Sequence, residues 1–467
     1  MGSKSGIRLR THRVAVLATL SLALLSGCSG EDADADSGAG SRRSNDSEPK
    51  ASGPAFTGPA LPGFAKQAAW SLASGSADVL DLGGTLLFAK DASGEYLSGS
   101  DLSSLAKEAR GLYVHDVDEP EALTLEFRDA KTGKVSRTLE VTAGAVERTT
   151  WHGGVPAIAV VTTSTTESDG LTEAKSTSSA TVYDAEGQKL GEVPEYEDGS
   201  ILDGYRVETV DNTLRLTPLD GGAARTVTCT GNQADCAYDS ETSTAHGAQN
   251  QAPLIADTYY AGFENGTTYE SDPERVMLDD LTTGKTVWSS ADAEIPEGVA
   301  LDDEGESASE AVHILRVTDG KVLVGWSSDF FSDTWIHAWY DLASGKLTAS
   351  YEATENVLFA PDGRLAAKDA GEVDVNYSGT AVWQVADGKR LWTQEEGETA
   401  LDPVRFTADG SVLYGVAGDT ALAVDSRTRK VLAKDLPQES VPLVDATTGY
   451  GYVTTSDGFF AFAPASL

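Results

Sequence analysis

The side chains able to carry chemistry are few and scattered. Six histidines stand at positions 12, 115, 152, 246, 313 and 337. No two form the His-Glu-x-x-His spacing that aligns imidazoles for zinc, and no serine sits in a Gly-x-Ser-x-Gly elbow. Adjacent acids occur, as at Asp279-Asp280, Asp302-Asp303 and Glu395-Glu396. Neighbouring strand residues point to opposite faces, so these pairs do not read as the acid and base of a glycosidase. His337, beside Trp339 and Tyr340, reads as a packed or rim residue. The expectation is therefore no catalytic residue, no bound metal and no cofactor. An oxidoreductase or hydrolase with its site dispersed over loops is the alternative.

Two other groupings could bind without reacting. The stretch Trp326-Ser-Ser-Asp-Phe330-Phe331-Ser-Asp-Thr-Trp335 is a polar, turn-rich loop that nonetheless carries bulky aromatics. Phe330, Phe331 and Trp335 are a candidate contact patch for a protein or glycan, or they fold back over a sheet edge. The acidic run from Glu294 to Glu310 reads as a solvated loop, with weak calcium or polycation binding as the alternative. Cys229 and Cys236 flank a short Gly/Asn/Asp-rich loop that can close as a disulfide. A metal reading needs further ligands, and only His246 lies nearby in sequence.

The chain has 467 residues, with 73 acidic and 35 basic side chains and a formal charge of −38. Such a charge excludes binding to a nucleic-acid backbone and electrostatic adhesion to anionic lipid. Its position relative to a membrane is set instead by the N-terminus. Lys4, Arg8, Arg10 and Arg13 precede an apolar run from Val14 to Leu25, and Ser26, Gly27 and Cys28 follow. Twelve apolar residues make about 18 Å of helix, short of the ~30 Å hydrocarbon core, so this reads as a signal peptide rather than a permanent span. The tetrad Leu25-Ser26-Gly27-Cys28 resembles the lipobox of bacterial lipoproteins. That resemblance implies acylation of Cys28, cleavage after residue 27, and a protein anchored to the cell membrane facing outside the cytoplasm. Loss of residues 1–27 removes four positive charges and no acid, taking the formal charge from −38 to −42. Residues 28–54 are rich in Ser, Gly, Asp and Ala and read as a disordered tether. Asp32, Asp34 and Asp36 alternate as in a calcium loop, but Ser37 and Arg43 stand where glycine and glutamate are needed.

From residue 55 to 467 one unit recurs: alternating apolar residues, an acid, a glycine turn, lysine, and a second strand-like run. It reads DAKTGK at 129–134, DAEGQK at 184–189, DLTTGK at 280–285 and DLASGK at 341–346. Weaker copies are QVADGK at 384–389, DSRTRK at 425–430 and Asp220-Gly221-Gly222. Period two broken by a turn is a hairpin; the acid caps the turn and glycine takes positive φ. A second hairpin precedes several copies, as at Ala408-Asp409-Gly410. Four antiparallel strands repeating at roughly 40–50 residues predict an all-β propeller of four-stranded blades, eight in number with seven as the alternative. The chain ends on a third strand, and Lys66-Gln-Ala-Ala-Trp70-Ser71 matches the fourth strands at Lys285–Ser289 and Lys389–Thr393. The first strand should therefore complete the last blade. The strand, turn and strand-tryptophan pattern resembles the PQQ-like repeats of bacterial propellers. That family includes quinone-dependent dehydrogenases and lipoproteins that act as binding scaffolds. The quinone enzymes carry adjacent cysteines, which Cys229 and Cys236 are not. The expected function is a lipid-anchored, non-catalytic scaffold for an envelope protein, cell-surface protein or glycan.

Overall fold

The computed structural model describes residues 53–465, except 75–76, 98–112, 115–120, 167–174, 197–200, 211–212, 229–235, 238–253, 256–258, 265–274, 281–284, 302–311, 319, 328–333, 354–356, 369–378 and 396. Its regular structure is almost wholly antiparallel strand, gathered into eight hydrogen-bonded sheets. We number these I to VIII in chain order. Sheet I holds Leu80–Asp81, Thr85–Lys90, Glu121–Asp129 and Val135–Ala143. Sheet II holds Ala145–Trp151, Val155–Thr166, Lys175–Asp184 and Lys189–Val193, with Tyr113–Val114 added beside the first of these. Sheet III runs from Ile201–Leu202 through Tyr205–Val210 and Thr213–Pro218 to Arg225–Thr228. Sheet IV comprises Cys236–Ala237, Leu254–Ile255, Tyr259–Glu264, Arg275–Asp280 and Lys285–Ser289. Sheet V is Val312–Thr318, Lys321–Ser327, Trp335–Asp341 and Leu347–Ala353, and sheet VI is Val357–Phe359, Leu365–Lys368, Ala381–Gln384 and Arg390–Thr393. Sheet VII is Asp402–Phe406, Val412–Ala417, Thr420–Asp425 and Val431–Leu436. Sheet VIII takes Leu443–Val444, Gly451–Thr455 and Gly458–Phe462 from the end of the chain and Trp70–Leu72 from its beginning. The protein is a β-propeller of antiparallel, mainly four-stranded blades.

The alternation of the sequence explains the stacking. Middle strands are apolar on both faces: in Lys321–Ser327 every residue after the lysine is buried, and Gly458–Phe462 is buried throughout. Such a sheet must be covered on both sides, and its neighbours in the chain do this. Leu80, Leu87 and Phe127 of sheet I pack with Val146 and Ile158 of sheet II. Ala366, Ala381 and Trp383 of sheet VI meet Leu323 and Trp339 of sheet V. Sheets VI and VII share Leu365, Val382, Leu413 and Val424, and VII and VIII share Val412, Tyr414, Val453 and Phe460. The two ends of the chain meet in a further core, where Trp70, Tyr452 and Phe459 of sheet VIII pack with Leu86 and Phe88 of sheet I. Phe459 lies 5.3 Å from Trp70 and 5.1 Å from Phe88.

The repeated turn is built as its sequence predicts. The Asp129 carboxylate accepts the Lys131 and Thr132 amides, and the Gly133 amide reaches the Asp129 carbonyl. Asp341 and Asp425 repeat the arrangement with Ser344, Arg427 and Thr428. The Ser344 hydroxyl and amide hold the Asp341 carboxyl below the usual range. Two copies depart from the pattern. In QVADGK the carboxylate is Asp387, which accepts the Lys389 amide. In DSRTRK the left-handed position is filled by Arg429 at φ 64°. The same turn also appears where no lysine marks it, at Asp445–Tyr450 between the first two strands of sheet VIII.

Glycine 133 does two jobs. It sits at φ 67°, and a Cβ there would lie 2.4 Å from the Trp70 ring, whereas a Cβ on Gly345 at φ 68° would meet nothing within 4 Å. Gly345→Ala should cost about 1–2 kcal/mol for the left-handed backbone alone. Gly133→Ala should cost a further ~1–3 kcal/mol because the Trp70 indole must shift. Denaturant titration of the two variants reads the difference.

Candidate binding face

In a four-stranded meander the first and third turns emerge at the same end. A bond inside each of several sheets ties these two turns together. The residue after the capping position donates its amide to a carbonyl of the first turn: Ala130 to Gly84, Leu219 to Gly204, Leu342 to Gly320, Val385 to Arg364 and Ser426 to Ser411. Three of the same residues are gripped from the preceding sheet by tryptophan. Trp70 Nε1 donates to the Ala130 carbonyl at 2.9 Å, Trp392 Nε1 to Ser426 at 2.8 Å, and Trp339 Nε1 to Val385 at 2.9 Å. Trp70 and Trp392 lie on fourth strands, whereas Trp339 lies on a third strand. The fourth strand of sheet V instead lays Tyr351 against Gly388. The result is a face of paired turns fixed by backbone and indole bonds.

Two clusters on this face bring together residues distant in sequence. The first joins sheets II and III. Asp203 is buried at 2% exposure and accepts the Gly153 amide at 2.8 Å and the Gly154 amide at 3.0 Å. It thereby presents His152, whose Nε2 lies 3.1 Å from Asp220 Oδ2 and whose ring packs on Trp151 and Tyr205. His152 and Asp203 both have positive φ, 32° and 46°. Arg225, at the start of the fourth strand of sheet III, approaches the Tyr205 ring. The second cluster lies where sheets VIII, I and II meet. Asp81 Oδ1 accepts the Gly83 amide, while the fully buried Asp445 accepts the Thr447 and Thr448 amides, the Thr448 hydroxyl and the Tyr452 hydroxyl. Burial, and then the Asp445 charge, push the Asp81 carboxyl up to about 6. Sequence spacing could not pair Asp81 with Asp445, because only the meeting of first and last sheets brings them together. Their one local signal is the capped turn that follows Asp445.

The residues singled out from sequence fare differently. Cys28, Cys229, Phe330 and Phe331 fall outside the described residues, as does the acidic run at 302–310. Cys236 opens a strand of sheet IV. Trp335 is described, and it is not an exposed element of a patch: it is 6% exposed, with its ring against Gly325. His337 is fully buried in the same strand, with its ring 5.7 Å from Tyr351. Among the described residues, no group of three or more His, Cys, Asp or Glu is placed to hold a metal ion. No described helix is long and apolar enough to cross a membrane.

No family model matches the chain. No curated protein matches it either. Solved structures do align with it. BamB from Moraxella catarrhalis aligns at 12% identity over 83% of this chain and 93% of that one, with a TM-score of 0.37. The Dos1 propeller aligns at 11% identity over 83% and 93%, TM-score 0.37. The dihydro-heme d1 dehydrogenase NirN aligns at 13% identity over 77% and 72%, TM-score 0.36.

The Asp203 clamp and the histidine it presents are separable. Asp203→Ala strands two turn amides and should cost about 1–3 kcal/mol. His152→Ala, at a half-exposed position, should change stability by no more than about 0.5 kcal/mol. Thermal unfolding followed by near-ultraviolet circular dichroism, which sees Trp151, distinguishes them.

Proposed function

We propose that this chain is a lipid-anchored, extracytoplasmic propeller that binds an envelope protein, a cell-surface protein or a glycan and acts as a scaffold rather than an enzyme. The observation that carries this reading is the employment of its chemistry-bearing residues. Asp129, Asp341, Asp425 and Asp445 cap turns, Asp203 clamps a turn, and His337 fills a sheet interface. Carboxylates saturated by backbone amides stiffen a face but are poorly placed to move protons. In this reading the sheets are the blades of one ring, closed by pairing of Trp70–Leu72 with Gly458–Phe462. Signal-peptide removal and acylation of Cys28 leave the ring on an acidic tether. A body with formal charge −42 is repelled by anionic lipid, which keeps the face of turns free for a partner. Cys229 and Cys236 close a local disulfide in the oxidising compartment, and Phe330 and Phe331 serve as the contact patch.

Crosslinking in intact cells followed by mass spectrometry of the captured species tests this. The expected result is one or two dominant envelope components, lost in Cys28→Ala because that form leaves the membrane. Their recovery should fall at least tenfold in Phe330→Ser/Phe331→Ser with folding intact. Capture that persists undiminished in the double variant removes the patch. The absence of any specific capture from the intact chain overturns the scaffold reading.

A further inference from the structure

The meeting of the first and last sheets carries an arrangement that a binding scaffold does not need. Sheet VIII grips sheet I through a short relay. Trp70 Nε1 donates to the Ala130 carbonyl, the Ala130 amide donates to the Gly84 carbonyl, and the turn bearing Gly84 begins at Asp81. That turn lies against sheet VIII and sheet II: a Cβ on Gly83 would stand 3.3 Å from Thr447 Oγ1 and 3.4 Å from Pro156, and one on Gly84 would stand 3.4 Å from Thr448. Thr447 and Thr448 are themselves held by Asp445. Each end of the chain thus brings one carboxylate to the same contact.

We propose that this seam is a proton-operated latch, firm while Asp81 carries a proton and loosened when Asp81 and Asp445 are both charged, so that the join between the ends of the chain weakens as the surroundings pass from acid to neutral. The charged and titratable groups facing Asp81 are Asp445 and Tyr452 of sheet VIII and Arg148 of sheet II. Burial, then Asp445, then Asp81 hold the Tyr452 phenol well above its ordinary value, so it remains protonated and donates to Asp445. Arg148 opposes the repulsion from an exposed position and does not cancel it. Removal from water beside a second negative charge favours the protonated form of Asp81.

The sign follows from linkage. Asp81 is raised from 3.8 to about 6 in the closed seam. Between those values an opened, hydrated seam has released a proton that the closed one retains. The closed state is therefore favoured below the ordinary carboxylate value and loses that advantage as pH rises through about 6. The opposite holds for caps such as Asp341 and Asp91, whose carboxyls are depressed by serine hydroxyls and turn amides. Their contribution is present above the ordinary value and is lost only as pH falls below it. The interval from pH 5 to 7.5 lies above the titration of those caps.

Hydrogen exchange of the full chain, read peptide by peptide and corrected for the intrinsic pH dependence of amide exchange, measures the opening. Peptides covering Trp70–Leu72, the Ala130 amide and Gly458–Phe462 should open more readily at pH 7.5 than at pH 5. The increase should be about tenfold over this interval, out of about a hundredfold over the full titration. Sheets VI and VII serve as internal references and should change little. Asp81→Asn, which keeps an oxygen for the Gly83 amide and cannot ionise, should abolish the dependence and hold the seam closed at pH 7.5. Asp445→Asn should reduce the dependence and move its midpoint downward, so a failure of either variant to fold leaves the other as the test. An unchanged pH response in a folded Asp81→Asn or Asp445→Asn protein, or no response in the wild type, overturns the latch.

Discussion

The carbonyl of the residue that follows each turn's capping position is the small group on which much of this architecture rests. At Ala130, Val385 and Ser426 it receives an indole N–H from the sheet before, while the same residue's amide reaches across its own sheet to the first turn. One residue thereby fixes, through its amide and its carbonyl, the spacing between neighbouring sheets and the relative height of the two turns. A buried hydrogen bond of this kind contributes about 1 kcal/mol net, yet leaving either partner unmet costs more. Its larger effect is geometric. It sets where each sheet stands against the next, and the apolar faces then fill the space between.

That constraint explains why the meeting of chain ends differs from the other joins. Elsewhere consecutive sheets are tied by a continuous chain. Where the two ends of the chain meet in sheet VIII the tie is non-covalent: three residues of pairing between Trp70–Leu72 and the last strand, the Trp70 indole bond and the aromatic core around Phe459. The approach to that strand is reinforced by bonds from the Ala65 and Ala69 amides to the Ala463 and Ala461 carbonyls, by Ala465 returning to Gly63, and by Tyr414 reaching Pro62. A join made entirely of weak bonds is where a single titrating carboxylate can have leverage, and Asp81 sits there.

Much of the fold could be read from local chemistry. The acid-capped turns at 129–134, 341–346 and 425–430 stand where their sequence placed them, because an aspartate cap and a left-handed residue act over five positions. The stretch Lys66–Ser71 matches the later fourth strands in sequence, and Trp70–Leu72 pairs with Gly458–Phe462. Local chemistry misled where a tertiary contact replaced it. Trp335, in a polar and aromatic-rich stretch, looks like a surface anchor, but pairing of its strand with Lys321–Ser327 and Leu347–Ala353 buries it. The strand Tyr113–Val114 added to sheet II was also not legible, because two residues carry no periodicity.

The binding face was the least legible part, for a physical reason. Each of its clusters is assembled from turns of different sheets: His152 with Asp203 and Asp220, Asp81 with Asp445. A turn's sequence records what closes that turn, and Asp203 and Asp445 would satisfy a local reading as ordinary caps. What they also do depends on which turn the ring sets opposite, and that is decided by sheet order rather than by any spacing in the chain. In a propeller the fold is therefore written repeatedly in short signals, whereas the character of its face is written once, across the joins. The two positive-φ residues His152 and Asp203 show the consequence. Neither position favours a non-glycine side chain by itself, and each is held there by the other's turn, so the strained pair exists only because sheets II and III are neighbours.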